Sequence, residues 1–223
     1  MKIDILTLFP DMFTGILNES IIKRAIDSEK VKINTVNIRD YSTDPHKRVD
    51  DYSYGGGAGM VLMPQPIFDA VADLKNDESL VILMTPQGKK YNQTMAHNLA
   101  NYNHIIIICG HYEGFDERIR TIVDMEISIG DFILTGGEIA AMAIVDSTVR
   151  LLDGVINKES HELDSFEDRL LDYPVYTHPA TFRGMDVPEV LLSGHHENIR
   201  KWRYNEQIKR TKERRPDLME SDL

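Results

Sequence analysis

Two short runs, residues 79–84 (SLVILM) and 104–109 (HIIIIC), constrain this chain more than any other feature in it. A half-buried strand alternates apolar and polar residues. A run that is apolar at nearly every position has to be covered on both faces, which is the condition of a strand inside a parallel sheet. Around these runs the pattern alternates. Residues 2–9 (KIDILTLF) and 31–38 (VKINTVNI) have the two-residue period of strands, and 124–129 (DMEISI) reads as a further strand. Between the strands, residues 12–28 place Phe13, Ile16, Leu17, Ile21 and Ile22 at helical spacing. Residues 92–101 and 136–152 also read as helices, and Pro64 and Pro66 stand where another would begin. This alternation predicts an α/β domain over about residues 1–155.

Beyond it the texture changes. Residues 157–173 are acidic and polar, 175–194 are broken by Pro and Gly, and 195–214 look helical again. Three parts are therefore expected: the α/β domain 1–155, a linker 156–174, and a small, mostly helical C-terminal domain 175–223. No apolar run approaches the ~18 residues of a membrane-spanning helix. MKIDILTLFP carries an Asp inside its apolar stretch and reads as a first strand, not as a signal peptide. The single cysteine, Cys109, leaves no internal disulfide framework and fits a reducing cytoplasm.

Charge narrows the partners. With 25 Lys+Arg against 36 Asp+Glu the formal net charge is −11, the opposite of a general nucleic-acid coat protein. The charge is uneven, however. Residues 197–215 hold eight basic residues (Arg200, Lys201, Arg203, Lys209, Arg210, Lys212, Arg214, Arg215) and three Glu, a local +5 that leaves −16 for the remainder. One basic end on an acidic body is a localised anion-binding surface, or else a solvated mixed-charge helix.

Several familiar sites are excluded. No G-x-x-x-x-G-K-[ST] occurs. The Gly55–Gly59 cluster misses G-x-G-x-x-G, because Met60 stands three residues after Gly57. That cluster is a close-approach backbone segment near His46, Lys47, Arg48, Asp50 and Asp51, or a flexible hairpin. Without H-E-x-x-H, and with His195 and His196 adjacent, zinc is not indicated. Cys109, inside an apolar run with nothing basic nearby, belongs to the core. Three loops after apolar strands stand out: Thr85-Pro86-Gln87-Gly88, Gly110-His111-Tyr112-Glu113-Gly114, and Gly130 through Glu138. Ligands of open α/β sheets sit beyond the carboxyl ends of strands, and glycine lets a ligand approach the backbone, so these loops are expected to form one pocket. Asp164 beside Phe166, and Arg150 at a helix end, are residue types suited to a base and an electrophilic clamp.

In order along the chain, these segments resemble one family. They are Phe9-Pro10 with Met12-Phe13, Asp50-Asp51 with Tyr54-Gly55-Gly56-Gly57-Ala58-Gly59-Met60, Thr85-Pro86-Gln87-Gly88, and Cys109-Gly110-His111-Tyr112-Glu113-Gly114-Phe115-Asp116-Glu117-Arg118. Ser128-Ile129-Gly130-Asp131 with Leu134-Thr135-Gly136-Gly137-Glu138, Asp164-Ser165-Phe166, and Ser193-Gly194-His195-His196 with Lys201-Trp202-Arg203 complete the set. The chain is similar over nearly its whole length to the bacterial tRNA (guanine-N1)-methyltransferases of the SPOUT class.

The resemblance implies a parallel sheet with a deep trefoil knot in its carboxyl half. It implies S-adenosylmethionine bound by Thr85, Pro86 and Gly88, by Gly110, Tyr112, Glu113 and Gly114, and by Ile129, Gly130, Asp131, Phe132, Ile133, Leu134, Gly136 and Gly137. It further implies a homodimer with shared active sites, acting on the guanine at position 37 of tRNA, beside the anticodon. Asp164 would then be the general base and Arg150 the support for the guanine. His46, Asp50, Gly57, Gly59, Ser165, His195, Arg200, Lys201 and Arg203 would meet the RNA, and Glu113 and Asp172 would be candidates for Mg2+. Family members often carry Arg in place of His111, and some carry Pro in place of Ala140. The alternatives are a SPOUT enzyme acting on ribose or ribosomal RNA, of which a ribose methylase would not need Asp164 as a base, and an RNA-binding module that has lost activity.

Overall fold

The computed structural model describes residues 1–157 and 164–219. The chain separates into two bodies, Met1–Ile156 and Asn157–Leu223. Of the expected linker, residues 158–163 lie outside the described residues, and with them Glu159 and Glu162. The rest of the linker from Asn157 onward belongs to the second body.

The first body is built on a five-stranded parallel sheet in the order β2-β1-β6-β5-β7. Its strands are β1 (Lys2–Thr7), β2 (Lys32–Asn37), β5 (Ser79–Lys90), β6 (His104–Ile108) and β7 (Met125–Ser128). β3 (Asp50–Tyr52) and β4 (Met60–Leu62) form a separate antiparallel hairpin. The strand period of two divides each central strand between two cores. Ile3, Ile5, Leu80, Ile82, Ile105, Ile107 and Cys109 face one cluster, which includes Leu99 of α4 (Gln93–Ala100) and Ile144 of α5 (Glu138–Val149). Leu6, Val81, Leu83, Ile106 and Ile108 face the other, with Ile67 and Ala70 of α3 (Pro64–Leu74). This two-sided covering is what the apolar runs require. As expected, Pro64 opens α3, and the Asn92 side chain caps α4 by accepting from the Met95 N–H at 2.9 Å.

Two local expectations are corrected. Residues 12–28 do not form one helix. A 3-10 turn (Pro10–Phe13) leads into α1 (Thr14–Leu17), and α2 (Ser20–Asp27) starts after a break. The Asn18 side-chain amide donates to the Thr14 carbonyl at 2.8 Å and its backbone N–H to Gly15 at 3.3 Å, closing the first helix, and Ser20 takes a positive φ of 53°. The strand beginning at Ser79 also does not end at Met84. It resumes pairing at Lys89, and Met84 and Lys89 both lie opposite Ile127, so Thr85–Gly88 bulge out of the ladder.

The second body carries a small hairpin, β8 (Thr181–Phe182) and β9 (Met185–Asp186), then α6 (Glu189–Leu192) and the 19-residue α7 (His196–Arg214). Among described residues of α7 only Thr211 is fully buried, where its hydroxyl accepts from the Leu171 N–H at 2.9 Å. This ties residues 164–172 to the helix.

At the amino ends of the central strands, opposite the loop end, a polar chain crosses the sheet. Ser79 Oγ and His104 Nδ1 are 2.7 Å apart, His104 Nε2 and Asp4 Oδ2 are 2.7 Å apart, and Asn34 Nδ2 donates to Asp4 Oδ1 at 2.7 Å. Lys2 adds an ion pair at 2.6 Å. Burial pushes the Asp4 carboxyl up, but the Asn34, Lys2 and His104 hydrogen bonds outweigh it and hold it below its ordinary 3.8. Asp4 therefore contributes stability above that ordinary value and loses it as pH falls through the lowered one. Asp4→Asn is expected to cost about 2–4 kcal/mol at pH 7 in urea unfolding, with the deficit shrinking below pH 3.8.

Candidate active site

A cavity of about 440 Å³ opens at the bulge of β5 and beyond the carboxyl ends of β6 and β7. All three Gly-bearing loops contribute to it: Thr85–Gln87, Gly110–Gly114, and Ile129 through Gly137. The sheet brings them together because parallel strands all end at one edge, and β5 lies between β6 and β7. The two later loops touch backbone to backbone. The Gly137 N–H donates to the Gly110 carbonyl at 2.8 Å, and a Cβ on Gly137 would lie 2.8 Å from the Gly110 nitrogen and 2.9 Å from the Cys109 Cα. A side chain there would force the loops apart.

Behind the loops lies a polar floor. Glu138, buried at the start of α5, accepts from the Thr7 hydroxyl at 2.8 Å, and the same hydroxyl accepts from the Phe9 N–H at 2.9 Å. His111 Nδ1 is buried without a hydrogen-bond partner among the described residues, and its ring packs against Phe9 and Tyr112 at centroid distances of 4.9 and 5.0 Å. Cys109 lies fully buried below, where burial, and after it the Glu138 charge, push the thiol far up. It is core, as expected. The opposite lip is apolar and open, with Phe132 and Ile133 exposed to 54% and 83%.

Of the residues expected to bind the cofactor, Thr85, Pro86, Gly110, Tyr112, Glu113, Gly114, Ile129, Gly130, Phe132, Ile133, Leu134, Gly136 and Gly137 line the cavity. Gly88 and Asp131 are not among its lining residues. Gly88 packs instead against β7, where a Cβ would lie 2.4 Å from the Ile127 nitrogen. The Asp131 carboxylate meets Lys90 at 3.4 Å. A further wall was not foreseen. Arg120 donates to Gln87 Oε1 at 2.7 Å and to Glu117 at 3.0 Å, and pairs with Glu126, joining the loop after β6 to the bulge of β5. No spacing in the sequence announces these partners.

The remaining candidates lie elsewhere. His46, Asp50, Gly57 and Gly59 belong to the β3–β4 hairpin and its approach. His46 donates its N–H to Asp44, whose carboxyl the Arg48 guanidinium holds far below the usual range. Arg150 caps the C-terminus of α5, with its N–H on the Asp146 carbonyl at 3.2 Å. Asp164 and Ser165 are in the second body. There the Ser165 hydroxyl accepts from the Asp172 N–H at 2.9 Å. Burial, and then the neighbouring Asp164 charge, raise the Asp172 carboxyl. His195, Arg200, Lys201 and Arg203 open α7, and the Arg203 guanidinium sits 4.7 Å over the Tyr173 ring. Among the described residues no group of three or more His, Cys, Asp or Glu side chains comes together to hold a metal ion, and no helix is long and apolar enough to cross a membrane.

The family model described as tRNA (Guanine-1)-methyltransferase TrmD matches residues 1–221. Proteins of Bacillus cereus (strain AH820), Bacillus anthracis (strain A0248) and Bacillus thuringiensis subsp. konkukian (strain 97-27), each named tRNA (guanine-N(1)-)-methyltransferase, are 58% identical over 225 residues. That alignment spans 99% of this chain and 92% of each relative. By both measures the chain belongs to the tRNA (guanine-1)-methyltransferase family.

Proposed function

We propose that this protein transfers a methyl group from S-adenosylmethionine to N1 of the guanine at position 37 of tRNA. The observation that carries the reading is the cavity itself: three glycine-bearing loops at one sheet edge, in a chain of a guanine-methylating family. The cavity fits the donor. Its volume suits a nucleoside-sized ligand, its glycines leave backbone N–H and C=O groups within reach, and Ile133 and Leu134 offer an apolar wall. When bound, S-adenosylmethionine supplies an electrophilic methyl group on a sulfonium centre.

The chain's own residues supply the rest. Guanine N1 carries a proton at neutral pH and is a poor nucleophile. Asp164 accepts that proton, which frees the nitrogen lone pair for the methyl group. The negative charge that develops on the guanine oxygen is met by the fixed guanidinium of Arg150. The two residues belong to different bodies, and we propose that they meet across a homodimer, with one subunit's loops facing the other's segment around Asp164. The Gly110–Gly137 backbone crossing and the order β6-β5-β7 support a trefoil knot in the carboxyl half of the first body. Glu113 and Asp172 remain the candidates for Mg2+, and no step is assigned to the ion. Basic side chains of α7 hold the RNA backbone, and the buried single thiol supports a cytoplasmic location.

The direct test is mass-spectrometric mapping of methyl transfer to a tRNA transcript with guanine at 37, beside one with that base replaced. Transfer that ignores the replacement overturns the assignment. Asp164→Ala is expected to abolish methylation while leaving S-adenosylmethionine binding within about twofold by calorimetry; retained turnover sinks the base assignment. Gly137→Ala is expected to weaken S-adenosylmethionine binding roughly tenfold or more, because over-packing costs about 1–3 kcal/mol where the loops cross. Neutralising Arg200, Lys201 and Arg203 together is expected to weaken tRNA binding and lower the log–log salt slope by about 2–3, as measured by filter binding.

A further inference from the structure

The β3–β4 hairpin carries two tyrosines that the fold does not use. Tyr52 is 78% exposed and Tyr54 is fully exposed, at 103%. Both stand near a tip made almost wholly of glycine. Gly55, Gly56, Gly57 and Gly59 have φ of 86°, 82°, 129° and 83°, a region that other residues rarely adopt. The hairpin is nevertheless firmly based. The Leu62 N–H donates to the Gly114 carbonyl at 2.9 Å, Glu113 to Met60 at 3.0 Å and Asp116 to Leu62 at 3.0 Å. Gly59 is pressed so closely on Glu113 that a Cβ would lie 2.4 Å from its Cγ. Glu113 and Gly114 line the cavity, so the hairpin grows from the cavity's own wall.

A fixed base with two bare aromatic rings is a poor use of apolar surface unless something covers them. Positive charge stands near the hairpin's root. Arg118, held by Asp116 at 2.7 Å with its side chain 69% exposed, stands two residues beyond Asp116, whose N–H makes one of the contacts at the hairpin's base. Exposed ring faces on a hairpin rooted in the cavity wall, with a guanidinium near its root, are the minimal equipment for holding an unpaired nucleotide: a face stacks the base and the cation meets the phosphate.

We infer that Tyr54, seconded by Tyr52, is a stacking platform for an unpaired tRNA nucleotide flanking the target guanine. The inference rests on the tRNA-methyltransferase reading and deepens it, by naming what holds the loop open around the reacting base. Tyr54 is then a positioning residue, outside the chemistry.

The test uses the full-length protein and tRNA transcripts carrying 2-aminopurine, in turn, on either side of position 37. Wild type and Tyr54→Phe are expected to quench the probe at one flank, and Tyr54→Ala is expected to lose the quenching and raise KM for tRNA roughly tenfold, the loss of one stacked base. S-adenosylmethionine affinity and sedimentation behaviour are expected to stay at wild-type values in all three proteins. Unchanged quenching and KM in Tyr54→Ala overturn the inference. So does a Tyr54→Ala protein whose oligomeric state changes while its quenching persists, because Tyr54 would then be an interface residue. Absence of methyl transfer by the wild type sinks the functional reading as a whole; transfer by the wild type with a probe indifferent to Tyr54 sinks only the platform.

Discussion

The backbone contact between Gly110 and Gly137 is the constraint on which the rest of the site depends. These residues lie 27 positions apart, and their peptide groups meet at 2.8 Å with no room for a side chain between. Because the loops after β6 and β7 pass each other so closely, their remaining residues face a common space. The same closeness draws His111, Gly136 and Glu138 together over Thr7 and joins the site to the first strand. Loosening that contact would not simply enlarge the cavity. It would separate its walls.

The first body is consequently a rigid frame with an unfilled rim. Its sheet is covered on both faces, its amino-terminal edge is locked by the Asp4–His104–Ser79 chain, and its carboxyl edge carries the cavity. Phe132, Ile133 and Tyr54 remain exposed around that edge. In an isolated chain this is surplus apolar surface. On the reading proposed above, it is surface for the substrate to cover.

Net charge acquires a narrower meaning in this setting. At −11 the protein repels phosphate over most of its surface. The +5 segment lies almost wholly on α7, where only Thr211 is fully buried and most of the basic side chains are exposed. An acidic body with one basic helix disfavours indiscriminate RNA binding and confines attraction to one face. This suits an enzyme that selects a single base and then releases its product.

Much was legible in the sequence alone. The parallel sheet, the helices covering it and the three loops that line the cavity follow from signals within a few residues of one another: continuous apolar runs, helical spacing, and glycine-bearing loops. Residue type and position offered Asp164 and Arg150 only as suited to a base and a clamp; the family resemblance turned that into an expected pairing around a guanine. Tertiary structure decided what depends on distant partners. The strand from Ser79 runs on to Lys90 because Ile127 pairs on both sides of the bulge. Gly88 faces β7 and not the cavity, and Arg120 builds a wall with Gln87 and Glu126. His104 finds Asp4 across 100 positions of chain. Local pattern determines which segments become strand, helix or loop, because burial and backbone geometry act residue by residue. It cannot determine which polar groups meet, because hydrogen bonds and close contacts form only after the sheet has brought remote residues side by side.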